Sequence, residues 1–146
     1  MRLLHINLTA RDADTLSAFY KGAFGFVDRR PPKRMSGESV SRGNGLPNSN
    51  IYAIWLAFPD EHGPFLEIME YAETVRRRVP AVNELGYGHL AIEVQDLKAT
   101  IEKVLRLEGS LLGQITDIGT EEKPHFVVYV RDPEGNILEL EQLSTK

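Results

Sequence analysis

Three chemically different landmarks recur at one spacing: His5 and His89, Asp12 and Asp96, and Gly25 and Gly109 all stand 84 residues apart. A shared offset in three residue types marks an internal duplication, so the chain must fold as one unit written twice. With 146 residues, each copy is too small to bury a large core of its own. The whole is therefore read as one fused domain, residues 1–146, with a first module at 1–72, a linker at 73–86 and a second module at 87–146.

Within each copy the grammar is strand, helix, stop. From Leu3 to Thr9 the residues alternate, with Leu4, Ile6 and Leu8 on one face and His5, Asn7 and Thr9 on the other. Asp12 is placed to cap a helix whose apolar stripe is Ala13, Leu16, Phe19, Tyr20 and Ala23, and Gly25 offers a left-handed stop. The pattern returns as a strand over Tyr87 to Val94, a cap at Asp96, a stripe of Leu97, Ile101, Val104 and Leu105, and a stop at Gly109.

Strand patterns then follow at Phe26 to Arg29, Ile51 to Phe58 and Phe65 to Tyr71, and again at Leu111 to Ile115, Phe126 to Arg131 and Ile137 to Leu143. The expected fold is α+β, two tandem βαβββ modules forming a curved mixed sheet around a concave site. Arg34 to Asn50, rich in Gly, Ser and Asn, reads as a mobile insertion, and Ala72 to Gly86 as a connector with a short helix. Asp132-Pro133-Glu134-Gly135-Asn136 reads as the turn that aims the last strand.

Composition narrows the chemistry. The net charge of −4 gives no general basic field, which argues against nucleic acid and anionic membranes as partners and leaves a small-molecule substrate. Without cysteine, any metal must be held by imidazole and carboxylate. No apolar run is long enough for a span or signal core, and the chain is read as cytoplasmic.

Each module supplies one histidine on its first strand, His5 or His89, and one glutamate amid apolar neighbours on its last, Glu67 or Glu139. A buried carboxylate must be paired, protonated or coordinated to a cation. Two imidazoles and two carboxylates suit one divalent ion, Ni or Zn first, then Co, Mn or Fe(II). His125 reads as a strand-end hydrogen-bonding residue. One face of Ile51 to Phe58, either Trp55 with its alternates or Tyr52 with its own, lines the pocket. Arg29, Arg30, Lys33, Arg34 and Arg42 read as a solvated face or as compensating cations, and Arg76 to Arg78, Lys98 and Lys103 as surface charge.

The His-strand-Asp-helix-Gly opening, Gly63-Pro64-Phe65-Leu66-Glu67, Tyr87-Gly88-His89 and the final hairpin with Ile137-Leu138-Glu139-Leu140 resemble the vicinal oxygen chelate superfamily (glyoxalase, bleomycin resistance, dioxygenase). Within it they are most similar to bacterial glyoxalase I, lactoylglutathione lyase. The resemblance implies that His5, Glu67, His89 and Glu139 hold the metal. It further implies a metal-dependent lyase or isomerase that turns a 2-oxoaldehyde hemithioacetal into a 2-hydroxyacyl thioester through a metal-held enediolate, as in methylglyoxal detoxification. Glu139 would serve as base, with Glu67 second. It also implies a homodimer that can share its sites between chains. Thr9 stands where bacterial glyoxalases carry a glutathione-binding arginine, and Gly119-Thr120-Glu121-Glu122-Lys123-Pro124 replaces their Gly-rich, Lys-containing stretch. The same resemblance therefore leaves two other readings open. One is an epimerase or dioxygenase on a substrate without glutathione, and the other a non-catalytic drug-binding resistance protein.

Overall fold

The computed structural model describes residues 1–59 and 63–144. It contains two compact units, one from residues 1–21 and 25–77 and the other from 78–146 together with 22–24. In the first unit β1 (His5–Ala10), α1 (Ala13–Phe24), β2 (Val27–Ser36), α2 (Glu38–Asn44), β3 (Asn50–Ala57) and β4 (Phe65–Tyr71) follow in order. Its mixed sheet runs β1-β4-β3-β2, with β1 and β4 parallel.

The second unit has β5 (Leu90–Glu93), α3 (Leu97–Arg106), β6 (Ser110–Leu111), β7 (Thr116–Asp117), β8 (His125–Arg131) and β9 (Ile137–Leu143). Its sheet runs β5-β9-β8-β6, with β7 also on β8 and with β5 and β9 parallel. The α+β class and the repeated strand-helix-strands plan are thus observed, as two mixed sheets. In each unit the first and last strands lie side by side, which sets His5 of β1, and His89 just before β5, near the glutamate strand.

The helices form where caps and apolar spacing coincide. Asp12 accepts from the backbone N–H of Thr15 at 2.8 Å, and Asp96 from that of Ala99 at 2.9 Å. Ala13, Leu16, Phe19, Tyr20 and Ala23 are all buried, as are Ile54, Leu56, Leu66 and Ile68 of the sheet. Each large side chain so buried stabilises by about 1.5–3 kcal/mol. On α3 the buried stripe is Leu97, Thr100, Ile101 and Val104. Leu105 points outward, contrary to expectation, and Thr100 takes a place in the inner row, its hydroxyl donating to the Asp96 carbonyl at 2.7 Å.

The stops differ. Gly25 takes the left-handed conformation at φ 78, but in the second copy Glu108 does so at φ 65, one residue before the expected Gly109. Gly109 is required for space instead, since a Cβ there would meet the Val104 side chain and the Arg131 carbonyl.

Three further expectations are corrected. The stretch expected as a mobile loop is largely ordered: β2 extends through it to Ser36, α2 follows, and its side chains tie it down. Asn44 donates to the Ser49 hydroxyl at 2.8 Å, and the Ser49 N–H to that of Ser41 at 2.9 Å. The 72–86 connector contains no helix; it is held by a turn at Ala81–Glu84 and by Arg131 donating to the Pro80 carbonyl at 2.8 Å. The strand expected from Tyr87 begins only at Leu90, so His89 precedes β5, and Thr116–Asp117 forms a short strand the pattern did not suggest.

Acid should weaken this fold in a specific way. Thr15, through its N–H first, holds the Asp12 carboxyl below its ordinary 3.8, and the His125 and Gly119 amides do the same for Asp117. A lowered folded value means the contribution is fully present above pH 3.8 and is lost as pH falls through the lowered values. Melting temperature followed into acid should therefore drop less steeply in Asp12→Asn, which keeps a capping oxygen without the titration.

Candidate functional site

In the first unit, α1 covers one face of the sheet. Tyr52 on that face donates to Asp14 at 3.0 Å, and Glu70 accepts from the Ala13 N–H at 3.0 Å. The opposite face carries His5, Asn7 and Thr9 from β1, Phe65, Glu67, Met69 and Tyr71 from β4, and Ile51, Ala53 and Trp55 from β3. Trp55, not Tyr52, is therefore on the site face.

His5 Nε2 lies 3.4 Å from Glu67 Oε2, and the His5 ring rests against Phe65 with centroids 4.9 Å apart. Glu67 is buried, at 8% exposure, and its charge is met from both neighbouring strands. Trp55 donates its indole N–H to Oε1 at 2.8 Å, and Asn7 donates to Oε2 at 3.3 Å.

In the second unit His89 Nε2 lies 3.0 Å from Glu139 Oε2. The cross-strand neighbour of Glu139 is Tyr129, whose ring meets His89 edge-on at 5.2 Å. Burial first, then the neighbouring Glu139 carboxylate, push the Tyr129 phenol up, so it keeps its proton.

The two copies are not equivalent. Across the first sheet one row reads Arg30-Trp55-Glu67-Asn7, and across the second Glu139 stands between Tyr129 and Ala91. Beyond Tyr129 the next chain is Leu112–Gly113, whose amides donate to the Tyr129 carbonyl at 3.0 and 3.1 Å. Glu67 is gripped by two side-chain donors, whereas the Asn7 position beside Glu139 holds Ala91 and offers none.

Each expected histidine is thus beside its expected glutamate within its own unit. Among the described residues no three His, Asp or Glu side chains gather as a group able to hold a metal. The pairs themselves have suitable dimensions: bonds of about 2.1 Å at right angles put neighbouring donors about 3.0 Å apart, close to the 3.0 and 3.4 Å seen.

His125 joins the strand edge as expected, its Nε2 2.7 Å from Glu141 and its N–H donating to Asp117 at 3.0 Å. The roles of Trp55 and Asn7 as carboxylate donors, and the place of Tyr129 opposite Glu139, were not foreseen. The available signal was an aromatic with a polar hydrogen opposite each glutamate, legible only once strand register is known.

The final hairpin aims Glu139. Asp132, buried at 3% exposure, accepts from Glu134 N at 3.0 Å, Asn136 N at 2.9 Å and Asn136 Nδ2 at 2.7 Å, while Gly135 takes φ 85.

By structure the chain is similar to a glyoxalase family protein from Bacillus cereus, with TM-score 0.87 and 20% identity over 99% of this chain and 95% of that one. It is similar to the trypanothione-dependent glyoxalase I of Leishmania major, with TM-score 0.63 and 22% identity over 97% and 86%. Against glyoxalase I of Zea mays the TM-score is 0.68 and the identity 18%, over 99% of this chain and 46% of that one. No curated protein matches by sequence. The family model for the glyoxalase/bleomycin resistance protein/dioxygenase superfamily matches residues 2–140, and with that match over nearly the whole length the chain belongs to this superfamily.

Proposed function

We propose that the protein is a divalent-metal-dependent lyase of glyoxalase I type, with His5, Glu67, His89 and Glu139 as the ligand set and Ni or Zn as the ion. The observation that carries this reading is the pairing of an imidazole nitrogen with a carboxylate oxygen at the equivalent place in each copy, at 3.4 and 3.0 Å. When bound, such a cation polarises two adjacent substrate oxygens and acidifies the carbon between them and the sulfur.

The chain's own residues then divide the work. Glu67, fixed by Trp55 and Asn7, holds position. Glu139, with a phenol on one side and Ala91 on the other, has the freedom to take the C–H proton and return it to the neighbouring carbon, so that no atom is gained or lost. Trp55 acts through Glu67: Trp55→Phe removes the N–H and should weaken divalent-cation binding about ten- to hundredfold, read by competition with a chelator.

A second reading keeps the ligands and changes the substrate. Thr120 and Lys123 exchange both backbone hydrogen bonds at 3.0 Å, closing the 119–124 segment on itself. Those amides are already used, which favours a substrate other than a glutathione adduct.

The test is metal content by elemental analysis with a methylglyoxal-glutathione assay on reconstituted protein. Metal with turnover supports the lyase, metal without turnover moves the reaction to the second reading, and no metal under any reconstitution overturns both. We also propose a homodimer, to be checked by light scattering.

A further inference from the structure

Two arginines in the first unit are in an unusual position. β2 is the edge strand of its sheet, and Pro31 and Pro32 already blunt that edge against pairing with another chain. Arginines serving the same purpose would extend into water. Arg29 and Arg30 instead lie back over the sheet: the Arg29 guanidinium is 4.2 Å from the Phe65 ring centre and that of Arg30 is 3.5 Å from Trp55.

Successive strand residues ordinarily face opposite ways. Here the register shifts between Asp28 and Arg30 and again between Arg30 and Lys33. Such irregularities re-aim side chains, and these bring both arginines to the face that holds His5 and Glu67. The aromatic supports are the residues that touch that pair: Phe65 contacts the His5 ring and Trp55 donates to Glu67.

Neither guanidinium has a carboxylate partner among the described residues. The nearby Asp28 is occupied by Lys21 at 2.8 Å. Lys33, in register with Ala53, adds a third cation to the same face, where Glu67 is the acidic member. In a chain of net charge −4, this is a local positive field, and among the described residues nothing takes up the hydrogen-bond donors of the two solvent-reachable guanidiniums. Stacking fixes each plane and leaves its edge free for a bidentate acceptor.

We infer that Arg29 and Arg30 hold an anionic group of the substrate, a carboxylate or phosphate, beside the His5–Glu67 pair. Arg30 and Glu67 are two strands apart in one row, so the anionic group stands within roughly 10 Å of the reacting oxygens. As a statement about substrate the inference rests on the proposed function; as a statement about anion binding it is testable separately.

Trp55, the single tryptophan, reports on both. Metal-free protein would be titrated with inorganic phosphate and, separately, with acetate, at constant ionic strength in chloride, following the Trp55 indole N–H resonance. A saturable shift with either anion is expected, the responding anion naming the class. Arg30→Gln and Arg29→Gln should each weaken binding about tenfold or more. Arg30→Lys, which keeps the charge and the covering stem, should stay closer to the parent. No saturable shift in the parent, unchanged affinity in both glutamine variants, or equal loss in Arg30→Lys and Arg30→Gln would each overturn the inference. Cation binding measured on the same variants separates the two claims: anion binding without any cation binding leaves this inference standing and sinks the proposed function.

Discussion

Glu139→Gln should lower kcat in the methylglyoxal-glutathione assay by about 10²- to 10⁴-fold, the usual worth of a positioned general base. The amide keeps an oxygen toward His89 and the size of the side chain, so the strand and its register have no reason to change. What it loses is the ability to accept a proton. Glu67→Gln provides the contrast, because Glu67 is fastened by Trp55 and Asn7 and its substitution should show first as weaker cation retention. Turnover of Glu139→Gln near the parent's, at equal metal content, would remove Glu139 from the role of base.

The largest stability effect is expected at Asp132→Ala. One buried carboxylate accepts from two backbone amides and the Asn136 side chain. Hydrogen bonds to a charged acceptor contribute about 1.5–3 kcal/mol each but share a single group here, so a total near 3 kcal/mol is expected. For a chain of this size that is a fall of about 10 °C in Tm. Asp132→Asn, which keeps the oxygen facing the two amides, should lose about half as much. Calorimetry giving equal Tm for Asp132→Ala and the parent would show that the turn is set by Pro133 and Gly135 alone.

Much of this was legible before any coordinates. The α1 cap, stripe and stop follow from Asp12, the apolar spacing and Gly25, because helix signals are local in sequence. The strands Phe65–Tyr71 and Ile137–Leu143 were also legible, bounded by turn chemistry on at least one side. Strand β2 runs beyond the expected end at Arg29 and through Pro31 and Pro32, since an edge strand tolerates proline where its N–H would face away from the ladder. The Gly/Ser/Asn stretch hid α2, since side-chain bonds among Ser41, Asn44 and Ser49 supply the order that composition does not signal.

At the site, the sequence showed which histidine and glutamate belong to each copy but not what secures them. Trp55 sits 12 residues before Glu67, and Asn7 is 60 before it. Both meet it only through register, which periodicity alone leaves open. Tyr129 is likewise tied to Glu139 by pairing across the hairpin. Arg29 and Arg30 read either as a solvated face or as compensating cations, and the choice stayed open because no local pattern announces the register shifts that turn them inward.

The parallel pairing of each module's opening strand with its closing one also bears on how the chain matures. Asn7 and Glu67 are 60 residues apart, and the donor pairs depend on contacts of that reach, among the slowest to form because a long stretch of chain must first be closed. A chain still emerging from synthesis has His5 long before it has Glu67, and His89 before Glu139. Neither half can bring its histidine and glutamate together until its last strand has docked, so any task that needs the pair waits on completed folding.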